Sequence, residues 1–314
     1  MKLPSAISFD LSDWTQIDLS GSACRSFFHN FCTNDINGLT PGHTCEAFIC
    51  DVKGRVLGHV LVFAGEHSLR LISVPGQSPF LTSHLGKYLL DADVSITDVS
   101  ADEGLLCLCG TAIAPVLTQL FGTEVSTSVG EWKTVSRESA SFRIGGTDIV
   151  NLPAILISGL RRDLENLLES IPNEVLAAGT PHLFELLRIE ARFPKVGVDI
   201  GPENIAQEAT RTKQAISFSK GCYLGQEPIA RLDAMGHTNK ELRGLNIESD
   251  KVSPGDAIVV EETVVGKITS VAPSLAPERQ VALGTIRVRH ADPGTAVRIR
   301  TAQGEVPAIV FRME

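Results

Sequence analysis

Apolar and polar positions alternate over short runs in the first hundred residues, as in strands with one buried face. The segment EAFICDVKGRVLGHVLVFAGEHSLRLISVPG has turn signals at Lys53-Gly54 and Gly65-Glu66, which predicts an antiparallel meander. The next segment, PFLTSHLGKYLL, predicts a helix, because its apolar residues have helical spacing: Phe80, Leu81, Leu85, Tyr88 and Leu89. Since helices that cover one face of a sheet make an α+β body, we predict an N-terminal α+β portion over residues 1–100.

A second α+β portion is predicted over residues 101–240. APVLTQLFG has a short helical repeat, and ILISGLRRDLENLLESIPNEV begins as an apolar strand before its leucines take helical spacing, at Leu160, Leu164, Leu167 and Leu168. PHLFELLRIEARFPKVGVDI predicts a further helix that Pro194 stops. Its inward face is expected to contain Leu183, Leu186, Leu187 and Ile189.

From about Leu242 short strands alternate with turns such as Pro254-Gly255-Asp256 and Pro293-Gly294. Closely spaced short strands are typical of small all-β domains. The sequence therefore predicts a small β-barrel over residues 241–314.

Composition narrows the class of protein. With 314 residues, of which 43% are hydrophobic, the chain can bury a sizeable core in two or three domains. A net charge of −9 without a basic block argues against a direct nucleic-acid partner. The start lacks a secretory pattern, and no run approaches the roughly 18 apolar residues of a membrane span. We therefore expect a cytoplasmic protein with no membrane partner.

Seven cysteines, an odd number at irregular spacing, indicate reduced thiols. Cys107 and Cys109 lie in GLLCLCG, which is typical of a buried strand rather than a metal site. A metal site elsewhere would require the fold to gather Cys24, Cys32, Cys45 and Cys50. The sequence therefore predicts no metal centre.

The seventh cysteine, Cys222, lies in SKGCYLGQEP, residues 219–228. It follows an apolar, strand-like stretch and precedes a predicted helix, where backbone N–H groups and the helix dipole favour an anion. Lys220 adds a positive charge, and both effects favour a thiolate. Cys222 is therefore predicted to act as a nucleophile, a redox thiol or a transient iron ligand, with Lys220 assisting. The alternative is a small buried side chain.

The other residues of this segment have structural or functional interpretations. Gly221 and Gly225 indicate close approach of backbone or ligand, because glycine in a helix is unfavourable. Tyr223 is expected to pack in the core. Gln226 and Glu227 either hold the loop to a cleft by hydrogen bonds or are solvated.

KGCYLGQE resembles the signature of the YgfZ family, relatives of the T protein, or aminomethyltransferase, of the glycine cleavage system. The resemblance continues through ARLDAMGHTNKELRGL, LRIEARFPKVGVDI, CDVKGRVLGHV and NFCTNDINGLTPG, in the family's order. It implies a GcvT-like body of two ferredoxin-like pieces with antiparallel sheets, a C-terminal β-barrel and a central tetrahydrofolate cleft. The implied activity is folate-dependent assembly or repair of iron-sulfur enzymes, which are transient partners, with an indirect effect on tRNA thiolation.

The predicted folate-binding residues lie on two segments. Arg188 and Glu190 are placed at the exposed end of a helix, where the like-charge spacing of Arg188 and Arg192 calls for a nearby anion. The resemblance implies that Glu190 contacts the pterin ring; a surface salt bridge of Arg188 with Glu185 is the structural alternative. Two further arginines, Arg231 and Arg243, either bind the glutamate tail of the folate or are solvated.

The sequence departs from the T protein in KGRVLGHV, where Gly58 and His59 stand at the place of the family's catalytic aspartate. Aminomethyl transfer would then lack its acid/base group, unless His59 replaces it. A histidine in an alternating strand is more often a satisfied side chain. SVPGQ, residues 73–77, also lacks an asparagine of the T-protein pattern.

Three functions therefore compete. The preferred one is a tetrahydrofolate-binding factor that assists assembly or repair of iron-sulfur enzymes, with Cys222 as the working thiol. The alternatives are a folate-dependent one-carbon transferase and a non-catalytic scaffold, and the loss of the aspartate leaves the enzyme class open.

Overall fold

The computed structural model describes residues 3–90, 93–236 and 238–311. It confirms the predicted α+β class: two largely antiparallel sheets are followed by a closed barrel. Helices lie on the outer face of each sheet. No helix within these ranges is long and apolar enough to cross a membrane.

The first sheet has five antiparallel strands in the order β3-β4-β5-β2-β6. These strands are β2 (Thr15–Ser20), β3 (Thr44–Cys50), β4 (Val56–Ala64), β5 (Ser68–Ser73) and β6 (Ser95–Asp98). Two helices pack on one face, α1 (Cys24–His29) and α2 (Ser78–Gly86). Leu81 and Leu85 of α2 are buried, as their spacing predicted, whereas Phe80 is 47% exposed. Tyr88 and Leu89 lie beyond the end of the helix at Gly86.

The second sheet has six strands in the order β11-β1-β7-β10-β9-β8. They are β1 (Ile7–Asp10), β7 (Glu103–Cys109), β8 (Trp132–Arg137), β9 (Ala140–Thr147), β10 (Ala154–Leu160) and β11 (Ala177–Ala178). Its outer helices are α3 (Ile113–Phe121) and α4 (Arg161–Glu169). Leu164 and Leu167 face the sheet, but Leu160 precedes α4 and is half exposed, so its place on the stripe was wrong.

This sheet contains strands from both sides of the boundary that we predicted at residue 100. β1 comes from the start of the chain, yet Ser8 pairs with Leu108 of β7 on one side and with Ala178 of β11 on the other. The first strand therefore completes the second sheet, while the strands from β2 to β6 build the first.

The barrel closes in the order β12-β15-β14-β13-β16-β17, so its strands have no free edge. Its strands are β12 (Lys240–Ile247), β13 (Ala257–Val260), β14 (Thr263–Pro273), β15 (Gln280–Arg287), β16 (Ala296–Thr301) and β17 (Gly304–Val310). Buried aliphatic side chains fill the interior. The strands run from Lys240 to Val310, and the first begins one residue before the predicted range of 241–314.

Helix α5 (Pro181–Glu190) lies where the inner faces of both sheets and the barrel meet. The Thr180 side chain accepts a hydrogen bond from the Leu183 N–H and so caps the helix, and the helix ends before Pro194. Two further helices come after it in the chain, α6 (Thr212–Ala215) and α7 (Gln226–Met235).

Arg188 of α5 is completely buried, so the prediction that it lies at an exposed helix end was wrong. Its Nη1 lies 2.9 Å from Asp199 Oδ2 and also donates to the Phe193 carbonyl, while Nη2 lies 2.8 Å from Glu185 Oε2. The chain folds back after α5 and the barrel covers the end of the helix. Arg188 is therefore held in an internal ion pair and is not available to a ligand.

Asp199 extends this ion pair into the barrel. Its second carboxylate oxygen accepts hydrogen bonds from Thr269 Oγ1 at 2.6 Å and from Ser270 Oγ at 2.7 Å, both on β14. The backbone N–H of Lys195 donates to Oδ2. One carboxylate thus connects α5, the segment after it and the barrel.

We predict that Arg188→Ala lowers the free energy of unfolding by about 3–5 kcal/mol, because it leaves the Asp199 charge buried without its partner. Urea denaturation measures the change. Arg279 pairs with Glu248 at 3.8 Å on the surface, and Arg279→Ala, the matched control, should cost at most about 1 kcal/mol. Equal costs for the two variants would contradict the structural role of Arg188.

Candidate functional site

The Cys222 loop, residues 219–225, is fastened to the end of α1 on both sides of Cys222. The Lys220 ammonium donates to the carbonyls of His29, Cys32 and Asn34. Beyond the cysteine, the Leu224 N–H donates to the Asn30 carbonyl at 2.9 Å.

Lys220 has a different role from the one that the sequence predicted. It is buried, and its three N–H donors are all taken by backbone carbonyls. Burial lowers the pKa of Lys220, whereas the nearby Cys32 and Asp35 raise it. The ring of Tyr223 lies 4.8 Å from Nζ and is itself buried, which confirms the packing role predicted for Tyr223. Lys220 therefore holds the Cys222 loop to the segment after α1 through these three hydrogen bonds.

Cys222 is exposed, whereas the other six cysteines are buried or half-buried. Cys107 and Cys109 lie in β7 with fully buried side chains, as predicted. Helix α7 begins only at Gln226, after Gly225 at its N-cap, and the residues before Cys222 form no strand. Because the helix dipole acts mainly within the first turn, placing Cys222 at a helix start was wrong.

Gly225 permits the close backbone approach that the sequence predicted. Its φ is +85°, and a Cβ at this position would lie 2.3 Å from the Asp51 carbonyl oxygen. The next residues start α7: the Gln226 N–H donates to the Tyr223 carbonyl, and Glu227 is exposed in the first turn. A carboxylate in that turn is favoured by the helix dipole.

An open cleft of about 980 Å³ lies between the end of α5 and the barrel, and we call it the α5–barrel cleft. Glu190, the last residue of α5, lines it, and its Oε2 accepts a hydrogen bond from Asn151 Nδ2 at 2.6 Å. Burial raises the pKa of Glu190, while the bond from Asn151 lowers it. Other lining residues include Arg192, Asn246, Arg279, Gln280 and Phe311.

Arg192 lines the same cleft and was missed as a site residue. Its φ of +57° is uncommon for a residue other than glycine. Burial lowers the pKa of Arg192, and so do the nearby charges of Arg243 and Arg211. Within the described ranges no carboxylate lies within ion-pair distance of it. The i, i+4 spacing of Arg188 and Arg192 was the available signal in the sequence. We used it to select Arg188, which is buried, instead of Arg192, which lines the cleft.

The structure does not gather all the predicted site residues in this cleft. Among the described residues that line it, none comes from the Cys222 loop or α7. Glu227 and Arg231 instead line a shallow groove with Val52 and Met235. Arg243 donates from Nε to the Ala291 carbonyl at 3.0 Å and pairs with a neighbouring glutamate.

His59 is buried and hydrogen-bonded, which confirms the expectation of a satisfied side chain. Its Nε2 lies 2.7 Å from Glu46 Oε1, and its ring stacks on Phe48. Arg211 donates to both oxygens of Glu46 and to Asp148. Burial raises the pKa of Glu46, but His59 and Arg211 together hold it at about 2. The side chains of His59 and Arg211 thus occupy this carboxylate inside the protein.

Comparison with known proteins assigns the class. Residues 240–314 match the model of the glycine cleavage T-protein C-terminal barrel domain. The whole fold is similar to that of the glycine cleavage system aminomethyltransferase T from Bartonella henselae, with a TM-score of 0.85 and 18% identity over 99% of this chain and 86% of that one. The chain has the GcvT fold.

Relatives found by sequence include YgfZ proteins as well as aminomethyltransferases. The tRNA-modifying protein YgfZ of Colwellia psychrerythraea is 26% identical over 267 residues, 83% of this chain and 78% of that protein. An aminomethyltransferase of Saccharopolyspora erythraea is 23% identical, over 97% of this chain and 85% of its own length. The chain is thus similar over most of its length both to a YgfZ protein and to an aminomethyltransferase.

We predict that Lys220→Met lowers the free energy of unfolding by about 1–3 kcal/mol, because three carbonyls lose a charged donor. Lys220→Arg should not restore it, since a planar guanidinium does not reproduce the geometry of an ammonium group. Urea denaturation is the measurement, with the exposed Lys251→Met as the control. Wild-type stability in Lys220→Met would show that the hydrogen bonds of Lys220 do not stabilise the fold.

Proposed function

We propose that this protein binds tetrahydrofolate or a related folate in the α5–barrel cleft and uses Cys222 as a working thiol in the assembly or repair of iron-sulfur enzymes. The observation behind the folate part is the half-buried carboxyl group of Glu190 in a cleft of about 980 Å³. Pockets for ligands of this size commonly have volumes of roughly 300–1,000 Å³.

The chemistry of the cleft fits a folate. A pterin presents adjacent N–H donors, and one carboxylate can accept two of them side by side. Glu190 is held in place by Asn151, so it is oriented before a ligand arrives. Arg192 on the same cleft, which no described carboxylate pairs with, offers a guanidinium for the carboxylates of the glutamate tail. The cleft therefore offers an acceptor for one end of the ligand and a cation for the other.

The thiol part of the proposal depends on exposure. Cys222 is exposed on a loop that Lys220 and Leu224 hold in place on both sides. A thiol that protrudes from a fixed loop can reach a partner protein without unfolding. Since the cleft and the loop have no described lining residue in common, we assign folate a supporting role for work done at Cys222.

The transferase alternative lacks a suitable base at the family's aspartate position. His59 and Glu46 are hydrogen-bonded to each other and buried, and neither is among the described residues that line the α5–barrel cleft. Incubation with tetrahydrofolate and an aminomethyl or methyl donor tests this alternative directly: formation of methylene- or methyl-tetrahydrofolate would favour it over our proposal.

We predict that Glu190→Gln weakens tetrahydrofolate binding about 10- to 150-fold, because one of the two acceptor oxygens is replaced by an NH2 donor; this corresponds to roughly 1.5–3 kcal/mol. Calorimetry or ligand fluorescence measures the affinity. Glu165→Gln, an equivalent change on the exposed face of α4, is the control. Unchanged affinity in folded Glu190→Gln would place the folate site elsewhere.

We predict that Cys222→Ala abolishes support of iron-sulfur enzymes in cells while folate affinity stays nearly unchanged, since the cleft loses no contact. Aconitase activity is assayed in a strain that lacks this protein and is complemented with each variant. Ser219→Ala in the same loop is the control. Full rescue by Cys222→Ala would rule out the thiol mechanism and favour a scaffold.

A further inference from the structure

Arg192 occupies the position that closes the C-terminal end of α5. Its N–H donates to the Ile189 carbonyl at 2.9 Å, and the Phe193 N–H donates to the Arg188 carbonyl at 3.1 Å. These two hydrogen bonds form a Schellman motif, with Ala191 as the C-cap and Arg192 as the residue after it. Such a motif requires left-handed backbone at that residue, and Arg192 accordingly has a φ of +57°.

The residue at this position of a helix end is most often glycine, because a side chain makes left-handed backbone unfavourable. An arginine therefore costs the end of α5 stability that glycine would not. Most of the described residues with a positive φ in this chain are indeed glycines. Residues in unfavourable backbone conformations cluster at binding sites. The side chain of Arg192, which lines the α5–barrel cleft, thus offers a reason for the arginine.

Arg192 does not neutralise the carboxylate that comes two residues before it. Glu190 lines the same cleft, yet no ion pair joins these two described residues. The pKa of Glu190 is raised by burial and lowered by the hydrogen bond from Asn151. The pKa of Arg192 is lowered by burial and by the charges of Arg243 and Arg211. The opposite charges of Glu190 and Arg192 are therefore kept apart on the cleft, where each can meet a different part of a ligand.

The other charged side chains described as lining the cleft pair with each other. Arg279 Nη2 lies 3.8 Å from Glu248 Oε1, and both residues belong to the barrel side of the cleft. Arg192 lies near two further guanidinium groups, so an anion beside it would be attracted by more than one positive charge. Among the described charges of this cleft, Arg192 is therefore the cation left for a carboxylate of the ligand.

We propose that Arg192 is the specificity-determining residue of the α5–barrel cleft, and that it restricts the ligand to folates with an intact glutamate tail, against pterins that lack one. Glu190 accepts the donors of the pterin ring, which both kinds of ligand possess. Arg192 makes charge-assisted hydrogen bonds to a tail carboxylate, which only the folate possesses. The inference rests on the proposed folate site and names the class of ligand that this site selects.

The first test compares two ligands by calorimetry on the purified protein: tetrahydrofolate and 6-methyltetrahydropterin, which has no glutamate tail. We expect Arg192→Gln to weaken tetrahydrofolate binding about tenfold, the effect of losing one charged hydrogen-bond pair, and to leave the affinity for 6-methyltetrahydropterin unchanged. Glu190→Gln should weaken the binding of both ligands. Equal effects of Arg192→Gln on the two ligands, or no effect on either, would overturn the proposal.

A second measurement shows whether the arginine is kept at a cost to the fold. We expect Arg192→Gly to raise the midpoint of urea denaturation while it weakens tetrahydrofolate binding as Arg192→Gln does. The matched control is Glu138→Gly, since Glu138 is exposed, has a φ of +55° and is not among the described residues that line the cleft. This control should raise the midpoint and leave the affinity unchanged. A midpoint in Arg192→Gly no higher than that of the wild type would overturn the proposal.

The proposed function and this inference fail in different ways. If the wild-type protein does not bind tetrahydrofolate, the proposed folate site is wrong and the role of Arg192 is wrong with it. If tetrahydrofolate binds and Glu190→Gln weakens the binding, but Arg192→Gln does not, only the role of Arg192 is wrong.

Discussion

A single buried charge, that of Arg188, constrains the centre of this protein. Because none of its side chain reaches water, its neutralisation must come from the protein itself, and the carboxylates of Asp199 and Glu185 provide it. Asp199 is also bonded to two hydroxyl groups of the barrel, so the barrel cannot move away from α5 without breaking those bonds. Breaking a buried pair of this kind is far more costly than breaking an exposed one.

The Arg188 ion pair also fixes the position of two of the charged residues that line the α5–barrel cleft, Glu190 and Arg192. Glu190 and Arg192 come two and four residues after Arg188, at the point where α5 ends against the barrel. Their half-buried charges therefore lie on a framework that is already fixed. A second fastening, by Lys220, holds the Cys222 loop to the end of α1. Rigid supports at both places allow a ligand or a partner to be met without reordering the backbone.

The fold could be predicted from the sequence wherever a local pattern decided it, as in the helix spacing of α2 and α5 and the short strands of the barrel. The roles of Arg188 and Lys220 could not, because their partners are carbonyls and carboxylates that only the tertiary structure brings near. The sequence spacing pointed to Arg188 and Arg192 near the end of α5. Only the folded structure shows that Arg188 is buried and that Arg192 lines the cleft.

The place of β1 has a consequence for how this chain can be divided and how it folds. The second sheet needs a strand from the first ten residues, between β7 and β11, so a fragment that starts near residue 100 would expose two unpaired strand edges. Such a fragment would be prone to aggregate, and the two α+β pieces are not separable modules. Pairing across so long a sequence separation also favours slow folding, because the loop must close before the contacts form. The N-terminal segment therefore links the two α+β pieces into one cooperative folding unit.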